Sequence, residues 1–246
     1  KKLLLIGLPL LLIVGCSKTE PINYETTLVE RDGVYYTKDT NKPYSGPVFS
    51  LNENGLNKRE SILEDGKMIT YKEFEWHRNG QKSHELNFKD GKQDGLETWW
   101  DENGQKQEEG TFKDGEKDGL WTDWHWNGQK GLEGTYKNGK QERLSTFWNK
   151  KGQKKFEDTY KNGKSNGLHT DWYENGQKRA EGTYKDGKED GLVTGWYENG
   201  QKKAEGTYKD GEVISKEEWL NYKDGLDNGY ITQEEYDAKM KELRGQ

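Results

Sequence analysis

Asp171-Trp172-Tyr173-Glu174-Asn175-Gly176-Gln177-Lys178 is the stretch from which the rest of the chain can be read. Its Asn-Gly step returns at Gly80, Gly104, Gly128 and Gly200. Lys151-Gly152 holds the same register, and the interval is the 24 residues from Gly176 to Gly200. A fixed period of this length marks a repeat architecture. A second turn signal, Lys followed by Asp or Asn and then Gly, falls in the same frame at Gly91, Gly115, Gly139, Gly163, Gly187 and Gly211. Both dipeptides accept positive φ cheaply and are strong hairpin signals. Two turns per period predict one hairpin of two short strands in each unit. The fold class is therefore all-β, an elongated meander of antiparallel hairpins.

Parity then suggests faces. Leu192, Thr194 and Trp196 share one face of a strand, and Ala204, Gly206 and Tyr208 share one face of the next. A three-residue loop with Gly200 left-handed brings both sets to one side; a two-residue loop separates them. One buried face fixes register strongly, so the three-residue loop is expected, both here and at Lys185-Asp186-Gly187. It would place Trp172 and Tyr184 together. The repeat core then consists of the rows Trp76, Trp100, Trp124, Trp148, Trp172, Trp196 and Tyr136, Tyr160, Tyr184, Tyr208, the latter preceded by Phe88 and Phe112. A third row is Leu96, Leu120, Leu144, Leu168, Leu192. Gly182 and Gly206 leave room for neighbouring rings. The turn glycines are Gly80, Gly104, Gly128, Gly152, Gly176 and Gly200.

Composition agrees with a thin repeat array. Of the 246 residues, 28% are hydrophobic and 34% charged, which alone would suggest disorder, but 10 Trp and 14 Tyr recur in register. A net charge of -6 argues against nucleic acid as a partner. The strict period covers 72–211. Asn54-Gly55 and Asp65-Gly66 form an imperfect first repeat, as a terminal unit should. Residues 17–30 are polar and without period, and read as a tether.

Lys1 and Lys2 precede an apolar run, Leu3 to Val14, that ends at Gly15-Cys16. The run is too short to span a bilayer as a mature helix. It resembles the lipobox of bacterial lipoprotein signal peptides. That resemblance implies removal of residues 1–15, lipidation (palmitate among the acyl chains) of Cys16 and a membrane-held chain in the cell envelope. Ser17 favours the outer membrane where there is one. Cys16 is the only cysteine, so no disulfide can form within the chain.

Gly167-Leu-His-Thr-Asp-Trp-Tyr-Glu-Asn-Gly-Gln-Lys-Arg-Ala-Glu-Gly-Thr-Tyr-Lys-Asp-Gly187 resembles a repeat of the MORN variant family (membrane occupation and recognition nexus), and Lys42-Pro43-Tyr44-Ser45-Gly46 the entry to such arrays. The resemblance covers residues 31–211. It implies a single-layer hairpin sheet used for binding or scaffolding. Arg143 and Asp158 replace glycines of the pattern, so unit 140–163 should be locally distorted. Some bacterial relatives carry an antitoxin label, which fits an exported chain poorly.

After Gly211 the character changes, and 212–246 reads as two short helices. Ser215-Lys-Glu-Glu218 and Thr232-Gln-Glu-Glu235 are capping boxes. Gly229 to Lys239 resembles the bacterial short C-terminal domain. An EF-hand over 224–235 would have Leu226 at its third position, without an oxygen, so calcium binding is not expected.

Nothing points to catalysis. His77, His84, His125 and His169 lack metal-ligand spacing, and no nucleophile elbow or phosphate loop occurs. Neither metal nor cofactor is expected. Asp123 and Asp171 read as a solvated strand face, and Lys89, Lys113, Lys137, Lys161, Lys185 and Lys209 as a solvated edge, with anionic head groups or cell-wall polymer as the sharper alternative. The expected role is a non-enzymatic scaffold for a protein partner. The alternatives are a cell-wall glycan module using the aromatic face, and an antitoxin-like partner of a toxin.

Overall fold

The computed structural model describes residues 19–214, 227 and 231–243. The signal segment and Cys16, the Ser215–Glu218 box and half of the EF-hand-like loop lie outside the described residues. The chain divides into two compact units at Tyr71/Lys72.

The first unit begins earlier than the sequence suggests. Its elements are β1 (Ile22–Asn23), α1 (Tyr24–Thr27), β2 (Leu28–Arg31), β3 (Val34–Thr37), β4 (Gly46–Leu51) and β5 (Asn57–Glu64); β6 (Lys67–Trp76) straddles the division. β1 pairs in parallel with β4, Ile22 opposite Val48. The Asn23 side chain caps the single turn of α1 by accepting the Glu25 N–H at 3.1 Å. That turn delivers Tyr24 and Leu28 to a core with Val48 and Leu63. Residues 22–30 are thus part of the fold and not a tether. Only two of them are buried, four apart, which is too few for a period to show.

The second unit is a meander: β7 (Lys82–Lys89), β8 (Lys92–Gln93), β9 (Gly95–Trp100), β10 (Lys106–Lys113), β11 (Glu116–Trp124), β12 (Lys130–Lys137), β13 (Lys140–Trp148), β14 (Lys154–Lys161), β15 (Lys164–Trp172), β16 (Lys178–Lys185), β17 (Lys188–Trp196), β18 (Lys202–Lys209) and β19 (Glu212–Val213). From β9 to β19 each strand pairs antiparallel with the next. A helix, α2 (Gln233–Leu243), follows. Its cap is reciprocal: the Glu235 N–H donates to Thr232 Oγ1 at 3.2 Å, and the Thr232 N–H to Glu235 Oε2 at 2.8 Å.

The two turns of a unit differ. At Asn199-Gly200 the loop has three residues: the Tyr197 N–H donates to Gln201 O, the Gly200 N–H to Tyr197 O, and Gly200 has φ 81°. Gly80, Gly104, Gly128, Gly152 and Gly176 repeat this geometry. The Asp-Gly loop instead has two residues. Lys185 pairs directly with Lys188, and Asp186 (φ 52°) and Gly187 (φ 88°) are both left-handed, as a type I′ turn requires. The three-residue loop expected at this turn is corrected accordingly.

A second correction follows from the ladder. Trp196 pairs with Lys202, but Gly195 pairs with Ala204, so Lys203 is an extra residue. Gln107, Gly131, Lys155 and Arg179 are the same bulge in the other units. One extra residue reverses parity beyond it. Leu192 therefore faces Thr207, and Gly191 faces Tyr208. The Trp and Tyr rows lie on opposite faces: Leu, Thr and Trp define a leucine face, Tyr and the strand glycines a tyrosine face. Trp172 and Tyr184 are not together.

Unit 140–163 keeps the register of its neighbours. Its departure centres on Arg143, at φ 64°, where Gly95, Gly119, Gly167 and Gly191 sit between 112° and 135°; beside it the ladder irregularity falls one residue earlier than in the sister units, between Glu133 and Thr135. An L residue cannot enter that glycine region, so Arg143 moves to the nearest left-handed well.

Candidate interaction surface

The leucine face repeats one arrangement. In the unit of Thr194, Leu192 lies opposite Thr207, Thr194 opposite Glu205 and Trp196 opposite Lys202. Thr194 Oγ1–H donates to Glu205 Oε2 at 3.2 Å, and Lys202 Nζ reaches the same oxygen at 2.6 Å. The same Thr–Glu contact recurs at Thr98–Glu109, Thr146–Glu157 and Thr170–Glu181. Lys106, Lys130, Lys154 and Lys178 each place Nζ within 6.0 Å of the ring centre of a Trp one unit on: Trp124, Trp148, Trp172 and Trp196. The Trp row is thus half-buried, and Trp100, Trp124, Trp148, Trp172 and Trp196 each have a lysine near one ring face. The threonines are buried. The leucines are not: Leu96, Leu120, Leu144, Leu168 and Leu192 are 44–56% exposed. The spacing of strands puts successive leucines roughly 10 Å apart.

The tyrosine face is filled from within. Tyr136, Tyr160, Tyr184 and Tyr208 are half-buried. Gly110 lies opposite Trp121, Gly134 beside Ser145 and Gly182 opposite Val193. A neighbouring ring needs the missing side chain at Gly110; at Gly182 the neighbour is a valine. Burial pushes the Tyr160 and Tyr184 hydroxyls up to about 12, with Asp158 and Glu189 adding to it respectively. They remain protonated at neutral pH.

Two polar clusters on this face escape sequence reading. His84, 4% exposed, stacks on Trp99 with ring centres 3.4 Å apart, and its Nε2 lies 2.7 Å from Glu97 Oε1. Further along, His169 sits 3.8 Å from Asp158 Oδ1 and 3.6 Å from Asp171 Oδ2. Arg179 Nη2 reaches Asp171 at 2.7 Å, and Ser165 Oγ–H donates to Asp158 Oδ1 at 2.6 Å. The hydroxyl is held by a carboxylate and not by the imidazole, so this is not the geometry of an activated serine. Asp123 is not a solvated residue either. Burial raises its pKa, Glu108 adds to that, and Trp121 Nε1–H donates to it at 3.1 Å. Correct parity could have found these partners, since Asp158 lies opposite His169 and Glu108 opposite Asp123.

The contact with Asp158 is the largest influence on His169 and raises its pKa above 6.5; partial burial opposes it, and Asp171 adds to the rise. Burial alone would raise Asp158, but the contacts from His169 and Ser165 outweigh it and hold it below its ordinary value. A raised histidine stabilises below its unfolded pKa and loses that contribution as pH climbs through the folded value. The depressed aspartate does so above its unfolded pKa and loses it as pH falls. Stability of this region should therefore decline as pH rises past the raised His169 value. Denaturant midpoints across pH 6 to 9 should fall for the parent and stay flatter for His169→Gln. Equal slopes would refute the coupling.

Among the described residues no group of three or more His, Cys, Asp or Glu side chains could hold a metal, and no helix is long and apolar enough to cross a membrane.

No curated protein matches the chain. Among solved structures, one titled as a crystal structure of a GtfA/B complex bound to UDP and GlcNAc is 12% identical over 65% of this chain and 29% of that chain. Its TM-score of 0.20 is too low to support an argument. The repeats themselves are matched by a family model: residues 93–114, 165–186 and 189–210 match the MORN repeat variant.

Proposed function

We propose that the chain is a non-enzymatic, membrane-held lipoprotein whose hairpin array is a docking surface for another protein. The observation that carries the reading is the leucine row. Five leucines recur at equivalent positions, yet each stays about half exposed while the threonines two residues on are covered. Burial within the chain does not explain their recurrence, and a regular row of half-exposed leucines alternating with threonines supports a contact surface. The repeat-family match supports the coarser part, an array used for binding. The anchor rests on the Leu3–Cys16 pattern alone. A glycan-stacking surface is less favoured, because lysines already lie over one face of the Trp rings.

A photo-crosslinking residue at Leu144 in the full chain should give a discrete protein adduct in intact cells. The same residue at exposed Lys151, in a turn, should not. A parallel Leu120→Asp/Leu168→Asp variant should fold yet lose the adduct. Adducts of equal yield at both positions, or none, would sink the proposal.

A further inference from the structure

In the two-residue turns the first N–H is left over from the ladder, and three units satisfy it with a carboxylate, whereas Asp190 makes no such bond to the Asp210 N–H. Asp94 Oδ2 accepts from the Asp114 N–H at 3.3 Å, Asp118 Oδ2 from the Asn138 N–H at 3.5 Å, and Glu142 Oε1 from the Asn162 N–H at 2.9 Å. In the next unit the equivalent position is Asn166. There, among the described residues, the Asp186 N–H has no acceptor and the Asn166 amide no partner. The place opens into a groove of about 870 Å³ lined by Lys140, Lys161, Lys164 and Lys185. None of these four makes an ion pair among the described residues. Asp186 and Asp190 also line it, and Lys209 Nζ lies 3.2 Å from Asp190 Oδ2.

Three units thus supply their own carboxylate, and the fourth presents the same donor beside four unpaired cations. We propose that this groove binds an acidic side chain of a polypeptide partner, seated where the sister units seat their own. The Asp186 N–H and the Asn166 amide would donate to it, and the lysines would supply the field. The proposal rests on the protein-docking reading above and names the chemistry of the partner.

The test uses the full chain and a fluorescein-labelled hexaglutamate peptide, followed by anisotropy. Saturable binding is expected, weakening as salt rises. Asn166→Asp installs the acid that sister units carry, so it should fold, and it should weaken binding by about tenfold or more. Lys161→Ala/Lys185→Ala should weaken it as well. Equal affinity of parent and Asn166→Asp would overturn the site. So would binding of inorganic phosphate or phosphatidylglycerol vesicles, sensitive to Asn166→Asp, without peptide binding. A Leu144 adduct together with no peptide binding would reject the groove alone; loss of the adduct would reject the docking reading itself.

Discussion

Gly110→Val is expected to cost about 3 kcal/mol or more of stability, through overpacking with no space to relax. A Cβ at Gly110 would stand 1.8 Å from the Trp121 ring, and Trp121 is 3% exposed. The ring is fixed on its other side as well: Lys117 Nζ lies 3.4 Å from its centre, and Phe112 meets it edge-on at 5.4 Å. It cannot swing away without breaking these contacts. Gly195→Ala is the control. Its nearest neighbour would be Arg179 O at 3.9 Å, so it should change stability by no more than about 1 kcal/mol, and favourably. Urea denaturation followed by tryptophan emission compares the two. Similar midpoints would show that Trp121 does not pack on β10.

Leu28→Ala should cost about 2–5 kcal/mol in the first unit. Leu28 is 5% exposed and shares its core with Tyr24, Val48 and Leu63. Were residues 17–30 a tether, the same change would fall within about 0.5 kcal/mol, as for other surface sites. Hydrogen exchange in β4 and β5 reads the effect locally, since their pairing, Val48 opposite Ser61, borders that core. Unchanged protection there would return this segment to the status of a tether.

These two variants bracket what the sequence makes legible. The turns were readable because Asn-Gly and Asp-Gly are chemically distinctive, and the period was readable because the turns repeat. The helix cap at Thr232 was readable for the same reason. The faces were not. The bulge residues Gln107, Gly131, Lys155, Arg179 and Lys203 are mostly long polar side chains of the kind any exposed strand position carries, so nothing in them announces an extra residue, and counting by twos then assigns Trp and Tyr to one side. The partners of His169 were hidden by the same step. The Asn166 groove was legible in principle, since one unit replaces an acid with an amide. Its meaning appears only when Asp94, Asp118 and Glu142 are seen bonding to turn nitrogens.

The two faces that the bulge separates also differ in how much they vary. On the leucine face, Leu, Thr and Trp recur nearly unchanged from unit to unit. In the middle row of the tyrosine face, the first-strand positions are Glu97, Trp121, Ser145, His169 and Val193, no two alike. Each meets a matched neighbour: Trp121 meets Gly110, Asp158 meets His169, and one position along Phe147 stacks on Phe156 at 4.0 Å. Near-identical hairpins are otherwise interchangeable, and such chains are prone to pairing out of order or exchanging units between copies. Here a slip by two units would set Trp121 against Asp158 and His169 against Gly110. The varied face thus sets junctions such as Trp121–Gly110 and His169–Asp158 apart from one another, which disfavours assembly of the hairpins out of order.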